Sequence, residues 1–335
     1  MKKLLLISAL SYAMSISTFA YGSATMSLDI EQGIAAYESG NLAQAANLLT
    51  KGGDEDFNKY LYLAKIALDN KNLDQAEDLI EQALSLNNTN GDIYFVHGQI
   101  MAAQSENVNM FSKMSYAKDI VKAFSKAVLN APDNIKYRQS LLTVHLVAPS
   151  IIGGDTDVAL AQAKAIEALD ARAGAVALMK VYAKLEQHDR FDEIYNTAVI
   201  DFPDEPAVFY VRGMYFQQQE QFDHAVDELT KAASISALSA QQRKSQYMAM
   251  YQIGRTSVLS KSYLDEGEQA LSQYIASAEI QDMMPTKEWA KYRLANIVEY
   301  KGEVFKAKEL YQELIQETHD KELKSKAKKR ARKLG

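Results

Sequence analysis

Small residues recur along this chain in a pattern about 34 residues long. In the clearest copy, Pro206 to Ser239, counting Pro206 as position 1 puts Gly213 at 8, Phe216 at 11, Phe222 at 17, Ala225 at 20, Leu229 at 24 and Ala232 at 27. The spacing has a packing reason. Gly213 and Ala225 are small where two antiparallel helices of one unit approach most closely, and Ala232 where the next unit's first helix packs. Phe216 and Leu229 fill the space between. From Phe57 the same positions carry Tyr60, Leu63, Ala64, Ala67, Leu73, Ala76, Ile80 and Ala83. Near the start Gly33, Gly40, Leu42, Ala45 and Leu49 keep the register, with Gly52 for the third small residue. Near the end Leu294, Ala295, Val298, Gly302, Val304, Ala307, Tyr311 and Leu314 keep it again.

Other copies depart from the pattern. One around Gly254, Tyr263 and Ala270 has Glu266 where alanine is expected, and the segment Ala173 to Pro203 reads about three residues short in its second helix. Two units carry insertions: about ten polar and sulfur-rich residues between Ala103 and Ala117, and the loop Ala148 to Asp155. All five prolines (132, 149, 203, 206 and 285) fall at unit boundaries or in expected loops.

This periodicity resembles the tetratricopeptide repeat, a helix-turn-helix unit with small residues at 8, 20 and 27. The resemblance covers nearly all of residues 25–320. It implies an all-α, right-handed α-solenoid of seven to eight such units, followed by a C-terminal capping helix over 321–335. It also implies that the first helix of each unit lines a concave face, with positions 2, 5, 9, 12 and 13 offered to a protein or peptide. Carried over residue by residue, these positions are Tyr37, Phe95, Tyr210, Met214, Gln217, Tyr251, Arg255, Trp289, Tyr292, Asn296 and Tyr300. Trp, Tyr and Arg dominate binding hot spots because they bury large areas at low entropy cost. Packing between helices is the competing role for each aromatic, and periodicity does not separate the two faces. The family's clamp for a terminal carboxylate is not supported in the first unit, where Ile30 and Ile34 stand at its places.

The amino terminus reads as an address. Lys2 and Lys3 precede an apolar run from Leu4 to Phe19, and small residues follow at Thr18-Phe19-Ala20 and Gly22-Ser23-Ala24. A charged region, a short apolar region and such an ending are the marks of a secretory signal peptide over residues 1–24, cleaved after 20 or 24. The alternative is a retained, uncleaved anchor, against which the run falls short of the ~20 apolar residues of a spanning helix. The expected protein is exported, with the periplasm as its compartment and no transmembrane segment after signal removal.

Charge is unevenly spread. The chain has 37 Lys+Arg against 43 Asp+Glu, a net charge of −6. Residues 25–320 alone carry −15 and residues 321–335 carry +7. The acidic total argues against nucleic acid as a partner and suggests steering of a basic surface to the solenoid. The tail's Leu323, Ala327, Ala331 and Leu334 form one narrow apolar stripe, as a cap over the last repeat requires. A weak contact of its cations with an anionic surface is the second reading.

Reactive chemistry is scarce. There is no cysteine, and His97, His145, His188, His224 and His319 are widely separated, without metal-ligand spacing. No nucleophile elbow, dinucleotide fingerprint or phosphate loop occurs. Gly153-Gly154-Asp155 reads as a tight turn leading to a helix cap. The expectation is a non-catalytic scaffold without cofactor or metal, acting in envelope or secretion-complex assembly. The alternative is a binder of an envelope polysaccharide through an aromatic-lined groove.

Overall fold

A computed structural model describes residues 27–106, 108–280 and 284–335. The proposed signal peptide therefore lies outside the described residues. Among those described there are seventeen α-helices, one 3-10 turn and no strand. The chain divides into two compact bodies, up to Asn88 and from Thr89 onward.

The N-terminal body holds two repeats, α1 (Leu28–Glu38) with α2 (Leu42–Lys51), and α3 (Phe57–Asp69) with α4 (Leu73–Leu86). Its core gathers Ile30, Ala36, Ala45, Leu49 and Ile66. Asp56, within the acidic run 54–56, caps α3 by accepting from the Asn58 amide at 2.9 Å.

The C-terminal body begins with α5 (Gly91–Ser105), α6 (Met110–Asn130), α7 (Ile135–Val147) and α8 (Thr156–Leu169). It continues with α9 (Ala171–Lys184), α10 (His188–Asp201), α11 (Pro206–Gln218) and α12 (Phe222–Ser234). Then come α13 (Ala240–Ser260), α14 (Leu264–Ser277), α15 (Lys287–Tyr300), α16 (Val304–Glu317) and α17 (Lys321–Lys333). Odd-numbered helices are the first helices of their repeats and even-numbered ones the second. With the N-terminal pair, eight repeats are present, closed by α17.

The small-residue logic holds at the close approaches. A Cβ on Gly213 would stand 2.6 Å from Leu229 Cγ. Ala225 and Ala232 are fully buried. Left-handed residues mark the turns of several repeats: Gly302 (φ +84°) in the last, and Glu186 (φ 56°) and Glu220 (φ 58°) in repeats five and six.

Those turns correct two sequence expectations. Glu186 and Glu220 are 34 residues apart, and α10 is 14 residues long, so repeat five is full length. It read as short because Phe191, fully buried and stacked on Tyr215 at 4.1 Å, stands where an alanine was expected. In repeat seven the turn contains two left-handed residues, Lys261 and Tyr263. The extra residue shifts α14 by one position, so Gly267 makes the close approach in place of Glu266. A Cβ on Gly267 would meet Ser257 Oγ at 2.3 Å.

The insertions also resolve. Most of the first lengthens α6, a 21-residue helix, and leaves Phe111 exposed. The second forms the turn Ser150–Ile152, with Gly153 at φ 104° and Asp155 capping α8. The stripe of α17 buries Leu323 and Ala327 completely against α15 and α16. Asp320 caps that helix by accepting from the Glu322 and Leu323 amides at 2.8 and 3.0 Å.

Candidate functional site

In the C-terminal body α9, α11, α13 and α15 pack side by side, each first helix on the next. The turn residues fix their registers. Position 9 runs through Lys180, Met214, Arg255 and Asn296, and position 5 through Val176, Tyr210, Tyr251 and Tyr292. The residues expected to meet a partner therefore fall into distinct groups.

Five of them cluster on α11 and α13. Tyr210 and Met214 are half-buried, as is Arg255. Burial pushes the Tyr210 hydroxyl up to about 12, against the opposing pull of the Arg255 charge and the Gln252 amide. Arg255 donates to the amide oxygen of Gln217 and, at 3.4 Å, to that of Gln252. Gln217 in turn donates to Thr256 Oγ1 at 2.7 Å. This amide network holds the guanidinium in place without a carboxylate. Gln217 and Tyr251 are only 5 % exposed, which makes them supports rather than contact residues. The Tyr251 hydroxyl accepts from Arg293 Nε at 2.7 Å.

The residues of α15 are engaged by the chain's own cap. Trp289 Nε1 donates to Asp320 at 3.1 Å, and Lys326 lies 5.9 Å from the Trp289 ring centre. Tyr292 packs edge-on against Trp289. Tyr300 lies beneath Arg330, whose guanidinium is 2.8 Å from Glu299. Asn296 is buried and donates to the Tyr292 carbonyl.

Two further residues stand elsewhere. Phe95 is a core side chain, 3 % exposed and stacked on Tyr137 at 4.7 Å, so it offers no partner surface. Tyr37 belongs to the N-terminal body, where it meets Tyr62 edge-on and its hydroxyl donates to Asp69 at 3.0 Å.

Sequence reasoning missed Lys180. It occupies position 9 of repeat five, and reading that repeat as short hid its register. Its side chain reaches solvent. Even so, the surrounding protein lowers its pKa, and the Lys244 charge adds to the effect.

Charge is layered across repeats four to seven. The first helices α7, α9, α11 and α13 carry nine Lys or Arg and no Asp or Glu. The second helices α8, α10, α12 and α14 carry twelve Asp or Glu against three Lys or Arg. Within the net −15 of residues 25–320, these four first helices are thus a carboxylate-free set.

Other features are modest. A cavity of about 320 Å³ lies among Ala183, Glu186, His188, Tyr215, Gln218 and Gln219, with His188 Nδ1 hydrogen-bonded to the Tyr215 hydroxyl. Among the described residues no His, Asp and Glu group of three or more is placed to hold a metal ion, and no helix is long and apolar enough to cross a membrane.

No family model and no curated protein matches this sequence. Solved structures do. Yeast Tom70 superposes with a TM-score of 0.65 at 16% identity, covering 91% of this chain and 63% of that one. The chain thus spans less than two thirds of the Tom70 structure. A tetratricopeptide repeat protein from Parabacteroides merdae superposes with a TM-score of 0.56 at 12% identity, covering 81% of this chain and 97% of that one. At such identities the likeness is one of fold. The fold is all-α and built of tetratricopeptide repeats.

Proposed function

We propose that this chain is an exported, non-catalytic scaffold that binds a protein or peptide on the first helices of its C-terminal body and serves envelope or secretion-complex assembly. The observation that carries the binding reading is the cluster of Tyr210, Met214 and Arg255 on adjacent helices, backed by a hydrogen-bonded amide network. A rigid support beneath half-buried aromatic, thioether and guanidinium groups is the anatomy of a binding hot spot. Export and the periplasmic compartment rest on the residues from Lys2 to Ala24. The polysaccharide alternative leaned on Trp289 and Tyr292, and both are engaged in packing the C-terminal end.

The test is a photo-crosslinking amino acid at Met214 in cells expressing the full chain. The expected result is a discrete protein adduct in the envelope fraction, absent when the crosslinker is placed at exposed Lys164. Adducts of equal pattern at both positions would overturn the reading.

A further inference from the structure

We propose that the outward face of α6 docks on an anionic lipid bilayer, with Phe111 and Leu129 entering the interface and Lys118 and Lys122 meeting lipid phosphates between them. The surface belongs to a second helix, so this inference stands independently of the first-helix cluster described above.

The face follows from helical spacing. Phe111, Lys118, Lys122 and Leu129 are separated by seven, four and seven residues, which returns all four to one side of the helix. The opposite side supplies the core through Ala123, Phe124 and Ala127. Phe111 is 86 % exposed and Leu129 78 %, and both lysines are exposed as well. Single apolar residues on a surface are ordinary. Here two of them bracket a pair of cations across five turns of one helix, ~27 Å. Neither Lys118 nor Lys122 forms an ion pair among the described residues, whereas Lys291 pairs with Glu317 and Lys306 with Glu303. Lys126, beside the stripe, lies 4.7 Å from the Tyr94 ring centre.

Charge sets this helix apart from its own kind. It carries four lysines and one carboxylate, Asp119, whereas the second helices α8, α10, α12 and α14 together carry twelve carboxylates against three cations. The insertion that lengthens α6 thus sets a basic, partly apolar face among acidic second helices. A folded acidic protein surface would answer the lysines and leave the aromatic ring in water. The headgroup region of a bilayer answers both, since phosphates lie at its surface and acyl chains just beneath. Lysine suits that depth, because its alkyl stem packs along the apolar zone while its ammonium reaches the phosphates. Two lysines and two apolar side chains make a reversible, salt-sensitive contact rather than an anchor.

The chain has no cysteine, so a single introduced one can be labelled cleanly. The experiment uses the full chain with Ser115→Cys, one turn from Phe111 and beside the stripe, carrying an environment-sensitive dye. Asn196→Cys on α10 is the control, and both positions are exposed. The dye at 115 is expected to shift to the blue with phosphatidylglycerol vesicles and not with phosphatidylcholine vesicles, and the shift to weaken as salt rises. Lys118→Glu/Lys122→Glu should raise the lipid concentration required by about ten-fold or more, with helicity unchanged. Lys118→Arg/Lys122→Arg should keep the shift, and Lys328→Glu/Lys329→Glu on α17 should leave it unaltered. Vesicle binding with no shift at 115, as attachment through residues 4–19 or the basic tail would give, overturns the proposal. So does an equal shift with both lipids, an equal shift at 196, or an unaltered titration in the glutamate variant. Binding of polyglutamate, or self-association, that depends on the two lysines and occurs without any shift on vesicles also overturns it, and assigns the face to an acidic protein or a second copy of the chain. None of these results touches the reading of Tyr210, Met214 and Arg255.

Discussion

Repeats six and eight present the same positions to very different surroundings. On α11, Tyr210 and Met214 lie beside the next first helix and keep a solvent-facing side. On α15, Tyr292 stands at the place of Tyr210, with Trp289 one turn before it, and there Asp320 and Lys326 at the start of the cap meet the indole. Repeat position alone therefore does not define a binding residue. The next helix in the stack decides which groups engage a half-buried aromatic at position 2 or 5.

Removing the cap should turn the second case into the first. Leu323 is fully buried, so Leu323→Ala is expected to cost about 2–5 kcal/mol. Trp289 is the only tryptophan, so its fluorescence should shift to the red as α17 loosens. An unshifted spectrum together with unchanged urea unfolding would break the contrast.

Glu299 offers a second, smaller test. It accepts from the Tyr311 hydroxyl at 2.9 Å and pairs with Arg330, tying α15, α16 and α17 together. Glu299→Gln is expected to cost about 1.5–3 kcal/mol. Arg255→Met, which loses only bonds to neutral amides, should cost about 1 kcal/mol. Thermal melts of the two variants check the order, and the reverse order would contradict the assignment of closed and open ends.

The open layer should also behave oppositely to a core. Lys180 has its pKa lowered in the folded chain, so the unfolded chain binds the proton more readily. Its charged form opposes folding below the folded pKa, and stability recovers as pH rises from there toward the ordinary lysine value. Lys180→Met is therefore expected to raise the melting temperature at pH 7 and to flatten the alkaline rise. A variant that lost stability instead would mark Lys180 as structural.

The smallest effect concerns the turns. Glu220 is held at φ 58°, where L-residues cost ~1–2 kcal/mol. Glycine relieves that strain but loses ~0.5–1 kcal/mol in entropy. Glu220→Gly should therefore gain up to about 1 kcal/mol, measurable by chemical denaturation. Gly302 already holds the equivalent place at the closed end, where Gly302→Ala should lose a similar amount.

Most of the fold was legible because close approaches demand small side chains. Gly213, Ala225 and Ala232 mark one repeat, and Ala295 and Ala307 another, without reference to distant residues. Legibility failed where size was exchanged between partners. Phe191 occupies a small-residue position because neighbouring helices make room for it, a long-range adjustment that spacing does not record. It failed again where Lys261 and Tyr263 slipped the register by one.

For the candidate site, Tyr210, Met214 and Arg255 could be read from position. The burial of Phe95 and Tyr251 could not, because it depends on Tyr137 and Arg293, 42 residues away along the chain in each case. The charge layering was available in the sequence. It became visible only once each helix was assigned to its layer.

That layering has a mechanical consequence. Repeat stacks behave as one-dimensional springs whose neighbouring units interact pairwise. The axes of adjacent first helices lie about 8–10 Å apart in a typical packing, close to the Debye length of ~8 Å at physiological salt, so repulsion between their cations is only partly screened. The compliance of this stretch of the molecule is thus set partly by the surrounding electrolyte. An anion seated between the helices would stiffen it.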